Sequence, residues 1–303
     1  MASKNRKSLN IWYLCVIFFI LISCKSLPYM SDDFFVDAKF APLDAGASIY
    51  LFANVQEVRQ IIDLLPLEEL NDRQVRQMIN RTNFAAAAFF PEESGRHFQL
   101  AAWGNYPGAA NAAFSSNKNW KKTKSSAKYN YWHSSADKLS IAMNSKQVFI
   151  NASLTENPMD PLVSLPGAEF PEGFKDFHRG TGGQPEAPLS CWVENPAPAI
   201  FQTLNNIGVP IRFPVQKLFF KLFPAGEQYN GIIRLQFENA SMARGVTAIF
   251  SLASGFVSND PNMLIAALLL ANPPVQHGNS IEIKTALLTG REISLLLQMF
   301  SLY

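Results

Sequence analysis

The chain has few cysteines and no marked excess of charge of either sign. Its 303 residues contain three cysteines, 26 basic residues and 24 acidic residues. The net charge of +2 argues against a general nucleic-acid-binding protein, which must neutralise many phosphates. Charged residues make up 17% and apolar residues 48%, a composition that excludes disorder and coiled coils and suffices for a large core.

The sequence also lacks the common signatures of catalysis and of metal binding. It contains no H-E-x-x-H, C-x-x-C or G-x-x-x-x-G-K segment. No pair of its four histidines has the i, i+4 spacing that suits a metal on a helix: His97, His133, His178 and His277. We therefore predict that the protein is not an enzyme and needs no metal and no cofactor. A weaker alternative is an envelope hydrolase that uses His133 or His178.

The sequence has no hydrophobic run long enough to span a bilayer, and the longest apolar run that it does have lies near the N-terminus. Leu9 to Ile22 is almost wholly apolar and follows three basic residues. This run is too short to span a bilayer, and its length is typical of the apolar core of a signal peptide. It ends at Leu21-Ile22-Ser23-Cys24, with an aliphatic residue three positions before the cysteine and a small residue just before it.

This segment resembles the lipobox of bacterial lipoproteins. The resemblance implies transfer of a diacylglycerol to Cys24, cleavage before Cys24, and acylation of the new amino group by a fatty acid such as palmitate. We expect a signal peptide over residues 1–23 and a lipidated tether over 24–45, with an uncleaved anchor helix as the alternative. Removal of three basic residues would leave a formal charge of −1, and Cys191 would have no cysteine partner for a disulfide.

The apolar periodicity after residue 45 predicts an α+β fold, an antiparallel sheet with packed helices. The order strand-helix-helix-strand-strand-helix is predicted twice, in residues 46–154 and in residues 188–303. A connector rich in proline and glycine separates the two over residues 155–187. The repeated order indicates two similar halves and an internal duplication. In the first half we predict a hairpin in which the apolar runs 84–90 and 97–103 flank a turn over 91–95. In the second half we predict helices over 197–207, 215–223, 261–271 and 291–302, and strands over 189–193, 229–238 and 245–253. The last two strands are predicted to be joined by a turn over 238–241.

The segment 215–223 combines bulky apolar side chains with lysines. On a helix, one face would be apolar and two lysines would lie at i, i+4 on its border, which is typical of an interfacial membrane helix. We predict that this segment contacts membrane or lipid, and a core helix that covers a sheet is the alternative. The residues concerned are Val215, Lys217, Leu218, Phe219, Phe220, Lys221, Leu222 and Phe223.

A second stretch, residues 115–128, contains several lysines around a tryptophan and no acid. Lysines favour contact with a phosphate-rich surface, and tryptophan suits a membrane interface. A solvated hairpin loop is the alternative. We predict a basic loop formed by Lys118, Trp120, Lys121, Lys122 and Lys124.

Together, the lipobox, the apolar segment and the basic loop resemble spirochaete-type outer-membrane lipoproteins with amphipathic helices around an α/β core. The resemblance implies an outer-membrane location facing the periplasm, membrane association, lipid binding and altered envelope permeability. We predict a lipid-anchored envelope protein whose partners are membrane lipids, with no role for nucleic acid. The alternative is a periplasmic protein-binding or assembly module in which the same apolar surface contacts an envelope protein.

Overall fold

The computed structural model describes a little over half of the chain. The described residues are 43–44, 46–63, 73–91, 96–107, 114–115, 118–124, 130–136, 138–153, 187–198, 200–201, 212–254 and 271–293. The predictions for the signal peptide, Cys24, the tether, His178 and the helix over 261–271 lie outside these residues. Most of the predicted helices over 197–207 and 291–302 lies outside them too, as does almost all of the connector.

Within the described residues, twelve strands and three helices have defined bounds. The strands are β1 (Ile49–Asn54), β2 (Thr82–Phe89), β3 (Arg96–Gly104), β4 (Lys121–Lys124), β5 (Asn130–Ser134), β6 (Leu139–Met143), β7 (Gln147–Ser153), β8 (Leu189–Glu194), β9 (Val215–Ala225), β10 (Gln228–Phe237), β11 (Val275–His277) and β12 (Ser280–Leu288). The helices are α1 (Arg59–Asp63), α2 (Arg73–Arg81) and α3 (Ala240–Ser254).

The described residues form two compact units. Unit 1 consists of the described residues in the ranges Met1–Ala47, Asn54–Gln56 and Pro66–Phe170. Unit 2 consists of the described residues in the ranges Ser48–Ala53, Glu57–Leu65 and Pro171–Tyr303. Strand β1 and helix α1, which the sequence analysis assigned to the first half, therefore lie mainly in unit 2.

Unit 1 contains six antiparallel strands in the order β2-β3-β7-β6-β5-β4. The hairpin of β2 and β3 forms because two apolar runs flank a segment of turn-forming residues. One face of these strands carries a core in which Leu139 and Ile150 are almost fully buried. Tyr106, Phe114 and Trp120 belong to the same core, and Trp120 directly precedes β4, so it anchors the start of this edge strand in the core.

Unit 2 also contains six antiparallel strands, in the order β11-β12-β10-β9-β8-β1. Its core includes Phe220 of β9, Leu235 of β10 and Ile283 of β12. Helix α3 packs onto this core through Ala243 and Val246, which are at most 5% exposed. The core therefore lies between one face of the strands and the inner face of α3.

The predicted helix-packed α+β fold is wrong, because antiparallel strands dominate the described residues. The predicted helix over 215–223 lies in strand β9, and the predicted strand over 245–253 lies in helix α3. The predicted repeat of two similar halves stays a prediction, because several of its helices lie outside the described residues. Within the described residues, unit 1 runs from α2 through β2 to β7, and unit 2 runs from β1 and α1 to β8, β9, β10, α3, β11 and β12.

Burial on both faces explains the error at β9. Leu218, Phe220 and Leu222 lie in the core on one face, whereas Phe219 and Lys221 lie on the other face and are also buried. A strand that is buried on both sides is a nearly continuous apolar run, which periodicity alone does not distinguish from a buried helix.

A helix cap explains the error at α3. The residues after β10 are typical of a turn between two strands, and the sequence predicts such a turn there. In the structure the Met242 N–H donates a hydrogen bond to Asn239 Oδ1 at 3.0 Å. Asn239 is therefore the N-cap of α3, and it satisfies a backbone donor that would otherwise lack a helical partner.

Candidate membrane-contact surfaces

The segment predicted to contact membrane lies inside unit 2, with β8 and β10 paired on either side of β9. Five of its apolar side chains are each at most 5% exposed: Val215, Leu218, Phe219, Phe220 and Leu222. They are held by packing against neighbouring strands, so the segment offers no apolar face to a bilayer in this conformation. Lipid contact through residues 215–223 stays a prediction, and it would require these side chains to leave the core.

The lysines of β9 lie against aromatic rings. Lys217 Nζ is 5.9 Å from the centre of the Trp192 ring, and Lys221 Nζ is 5.4 Å from the centre of the Phe223 ring. Burial lowers the pKa of Lys221, and the nearby Arg234 guanidinium lowers it further. These lysines are therefore part of the packing of unit 2, and they do not border an exposed apolar face.

Helix α3 carries an exposed apolar stripe that the sequence analysis missed. Gly245, Ala248, Ile249 and Leu252 are exposed and recur at i, i+3, i+4 and i+7, which places them along one side of the helix. Ile249 is 41% exposed and Leu252 is 68% exposed. The sequence features that could have predicted this helix and its apolar side were the helical spacing of these residues and the N-cap residue Asn239. We call these four residues the α3 stripe.

The polar groups beside the α3 stripe are satisfied within the helix. The Thr247 hydroxyl donates to the Ala243 carbonyl oxygen at 2.9 Å, and the Ser251 hydroxyl donates to the Thr247 carbonyl oxygen at 2.9 Å. Arg244 is the only charged residue of the helix. Because these hydroxyls already have acceptors, transfer of this side of α3 into an apolar environment leaves few donors unsatisfied.

Three other large apolar side chains are substantially exposed among the described residues: Phe89, Val275 and Leu287. Phe89 lies in unit 1, and its ring centre is 6.4 Å from that of Phe98. Val275 and Leu287 lie on β11 and β12 of unit 2. Isolated exposed apolar side chains are common on protein surfaces and need no special explanation. The α3 stripe differs because its members are neighbours on one helix.

The predicted basic loop is a strand preceded by a turn. Lys121, Lys122 and Lys124 are exposed on β4, and Lys118 is exposed in the turn before it. Trp120 is 5% exposed, and its ring meets the edge of the Phe114 ring at a centroid distance of 5.1 Å. The lysines therefore face solvent, whereas the tryptophan holds the strand to the core of unit 1.

His133 offers no support for a hydrolase. Its Nδ1 lies 2.9 Å from Ser140 Oγ, but Ser140 is fully buried and no substrate could reach its hydroxyl. Burial lowers the pKa of His133, and the nearby Lys138 ammonium adds to this effect. The pair is the structural contact of two adjacent strands, β5 and β6.

Cys191 has no features of a reactive thiol. It packs against the core of unit 2 from the centre of β8, and burial raises its pKa to about 12. A thiol with such a pKa is protonated at neutral pH and is a poor nucleophile. Within the described part of the chain, no group of three His, Cys, Asp or Glu residues could hold a metal. None of the helices in that part is long and apolar enough to cross a membrane.

Comparison with known proteins identifies the family. The family model described as outer membrane-associated lipoprotein TP0453, from a spirochaete, matches residues 36–267. Crystal form III of TP0453 superposes with a TM-score of 0.57 and 18% identity, covering 84% of this chain and 95% of that one. For crystal form IV of TP0453 the TM-score is 0.57 and the identity is 17%, and the alignment covers 83% of this chain and 93% of that one.

At this level of identity the solved structures establish a shared fold alone. No curated protein matches the sequence significantly. The family model, however, covers well over half of the chain. It confirms the predicted resemblance to spirochaete outer-membrane lipoproteins and the predicted location in the cell envelope. The chain belongs to the family of the outer membrane-associated lipoprotein TP0453.

Proposed function

We propose that this protein is anchored by acyl chains on Cys24 and also contacts the bilayer directly through the α3 stripe. The observation that carries this proposal is the exposure of Ile249 and Leu252 on one side of an amphipathic helix. The lipobox and the outer-membrane association of the family support it. Altered envelope permeability rests on the sequence resemblance alone and stays a prediction.

The exposed area of the stripe sets the size of the effect. The exposed fractions of Ile249 and Leu252 together equal about one complete aliphatic side chain. Burying one such side chain is worth roughly 1.5–3 kcal/mol. This corresponds to about a tenfold to hundredfold change in membrane partitioning. Such a contact is too weak to retain the protein alone, but it would fix the orientation of an acylated chain.

Vesicle flotation tests the proposal. The mature chain from residue 24, with Cys24→Ser to prevent acylation, is mixed with phosphatidylcholine vesicles. We expect weak binding that Ile249→Gln together with Leu252→Gln reduces at least tenfold. Glutamine keeps a high helix propensity, so circular dichroism should not change.

Two exposed side chains elsewhere in unit 2 supply the control. Val275 is 51% exposed and Leu287 is 47% exposed, so Val275→Gln together with Leu287→Gln removes a similar apolar area. We expect this control to bind like the parent chain. Equal losses in both double variants, or no loss in the α3 variant, would refute the α3 contact. Retained binding to an envelope protein but not to vesicles would favour the assembly-module alternative.

A further inference from the structure

The edge of unit 1 carries a concentration of positive charge that the α3 contact does not use. Strand β4 is the last strand of the unit in the described sheet order, and β5 is its paired neighbour. Exposed lysines lie on the strand, in the turn before it and in the turn between β5 and β6. We call the following residues the basic edge: Lys118, Lys121, Lys122, Lys124 and Lys138.

The register places these lysines on both faces of the edge. Lys121 lies opposite His133, and Lys122 lies opposite Trp132. Because side chains alternate along a strand, Lys121 projects on one face and Lys122 and Lys124 on the other. Lys138 is close enough to His133 to influence its pKa, so it lies near the Lys121 end of the strand.

Acidic groups do not offset this charge in the described part of unit 1. The only acid there is Asp44, which is 4% exposed. Its Oδ2 accepts a hydrogen bond from Gln99 Nε2 at 2.9 Å. Asp137 lies next to Lys138 in the sequence but outside the described residues. The exposed charge of the described edge is therefore of one sign.

Lysines on an edge strand also prevent strands of other molecules from pairing with it. That role explains charge along β4 itself, but it does not require lysines in the turns on either side of the strand. A surface that presents cations on both faces and at the adjoining turns complements a plane of anions. A bilayer with anionic headgroups is such a plane.

We propose that the basic edge binds the anionic phosphate headgroups of the bilayer. This inference rests on the proposed function, because acyl anchoring and the α3 contact bring the protein to the membrane. Each lysine close to an anionic membrane surface increases the membrane-binding constant about fivefold. Four lysines acting together would therefore change binding to anionic vesicles by about 100-fold or more at low salt.

The test uses the mature chain with Cys24→Ser and two kinds of vesicle. Phosphatidylcholine vesicles report the apolar contact, and vesicles that also contain phosphatidylglycerol report the added charge. We expect tighter binding to the anionic vesicles at low salt and loss of that advantage at high salt. Replacing Lys118, Lys121, Lys122 and Lys124 by Gln should abolish the advantage and leave binding to phosphatidylcholine unchanged.

A charge-matched control separates a local site from net charge. Lys146, Arg212, Lys284 and Arg291 are exposed and lie away from β4 in the sequence. Their replacement by Gln removes the same formal charge and should leave most of the anionic advantage in place. An equal loss in both variants, or an advantage that survives the β4 substitutions, would overturn the proposal. All the changed side chains are exposed, so thermal melting should confirm that every variant folds.

The outcomes for the two proposals are distinct. Failure of the α3 contact appears as unchanged phosphatidylcholine binding in the Ile249 and Leu252 variant. Failure of the basic edge appears as an unchanged response to phosphatidylglycerol in the β4 variant. If soluble polyglutamate binds at the β4 lysines while anionic vesicles do not, the edge is a docking site for an acidic protein segment and the headgroup proposal is wrong.

Discussion

Phe220→Ala tests whether β9 is a core strand or a membrane-facing segment. Phe220 is 5% exposed and lies opposite Cys191 of β8 and Ile233 of β10. Removing a buried phenylalanine side chain loses its transfer free energy and leaves a cavity, which together cost about 3–5 kcal/mol. A phenylalanine that faced solvent would cost far less, since exposed substitutions usually change stability by about 0.5 kcal/mol or less.

Urea unfolding of the non-acylated mature chain, followed by tryptophan fluorescence, measures the loss. Trp192 is a reporter in the same unit, with its ring centre 6.5 Å from that of Phe219 on β9. The matched control is Phe89→Ala in unit 1, where the side chain is 43% exposed. We expect the control to lose much less of the free energy of unfolding. A loss below about 1 kcal/mol for Phe220→Ala, together with lost vesicle binding, would contradict the assignment of β9 to the core.

Four further predictions concern packing and titration. Gly104→Ala should lower the free energy of unfolding by at least about 2 kcal/mol in urea titrations, because its Cβ would collide with the Arg81 backbone. Gly245→Ala, with open space around the new Cβ, should instead raise the free energy of unfolding by about 0.5–1 kcal/mol. A stabilising Gly104→Ala together with a destabilising Gly245→Ala would contradict the surroundings that the structure gives both glycines. Cys191 should react slowly with Ellman's reagent in the native chain and faster after unfolding, because desolvation raises its pKa to about 12, and rapid native reaction would contradict this raised pKa. Burial and the nearby Lys138 lower the pKa of His133, so near neutral pH the unfolded chain binds more protons than the folded chain, and the free energy of unfolding should fall as the pH drops below about 6.5. His133→Gln should flatten this pH dependence in urea titrations. An unchanged pH dependence in the variant would contradict the lowered pKa of His133.

Parts of the fold were predictable from local pattern. The hairpin of β2 and β3 has two apolar runs separated by turn-forming residues, and both are visible in one short window. Strand β8 is a short apolar run in both the sequence and the structure. These elements were found because neighbours in the sequence determine their form.

Other parts depend on contacts between distant residues. Strand β9 is buried by residues that lie far from it in the sequence: its core face shares a cluster with Ala243 and Val246 of α3, and Phe219 on the other face contacts Trp192. The composition of β9 does not indicate these neighbours. The side-chain role of Asn239 was equally hidden, since asparagine is common in turns and at helix N-caps. Mistaking the cap for a turn also concealed the α3 stripe.

The candidate surfaces show the same division. The lysines of β4 were predicted to be exposed because a basic stretch without acids is rarely buried. The position of Trp120 was not predictable, because it depends on Phe114 and on the core of unit 1. The lipobox is a purely local motif, and the family comparison agrees with the lipoprotein class that it indicates.

The depth of a single side chain in the membrane tests the central claim. A spin label is attached at Leu252→Cys or at Leu287→Cys in the mature chain with Cys24→Ser and Cys191→Ala, so that each protein has one thiol. On vesicles, the label at position 252 should be shielded from a water-soluble relaxation agent and accessible to oxygen dissolved in the bilayer. The label at position 287 should remain accessible from water. Equal exposure of both labels to the aqueous agent on bound protein would contradict a membrane contact through α3.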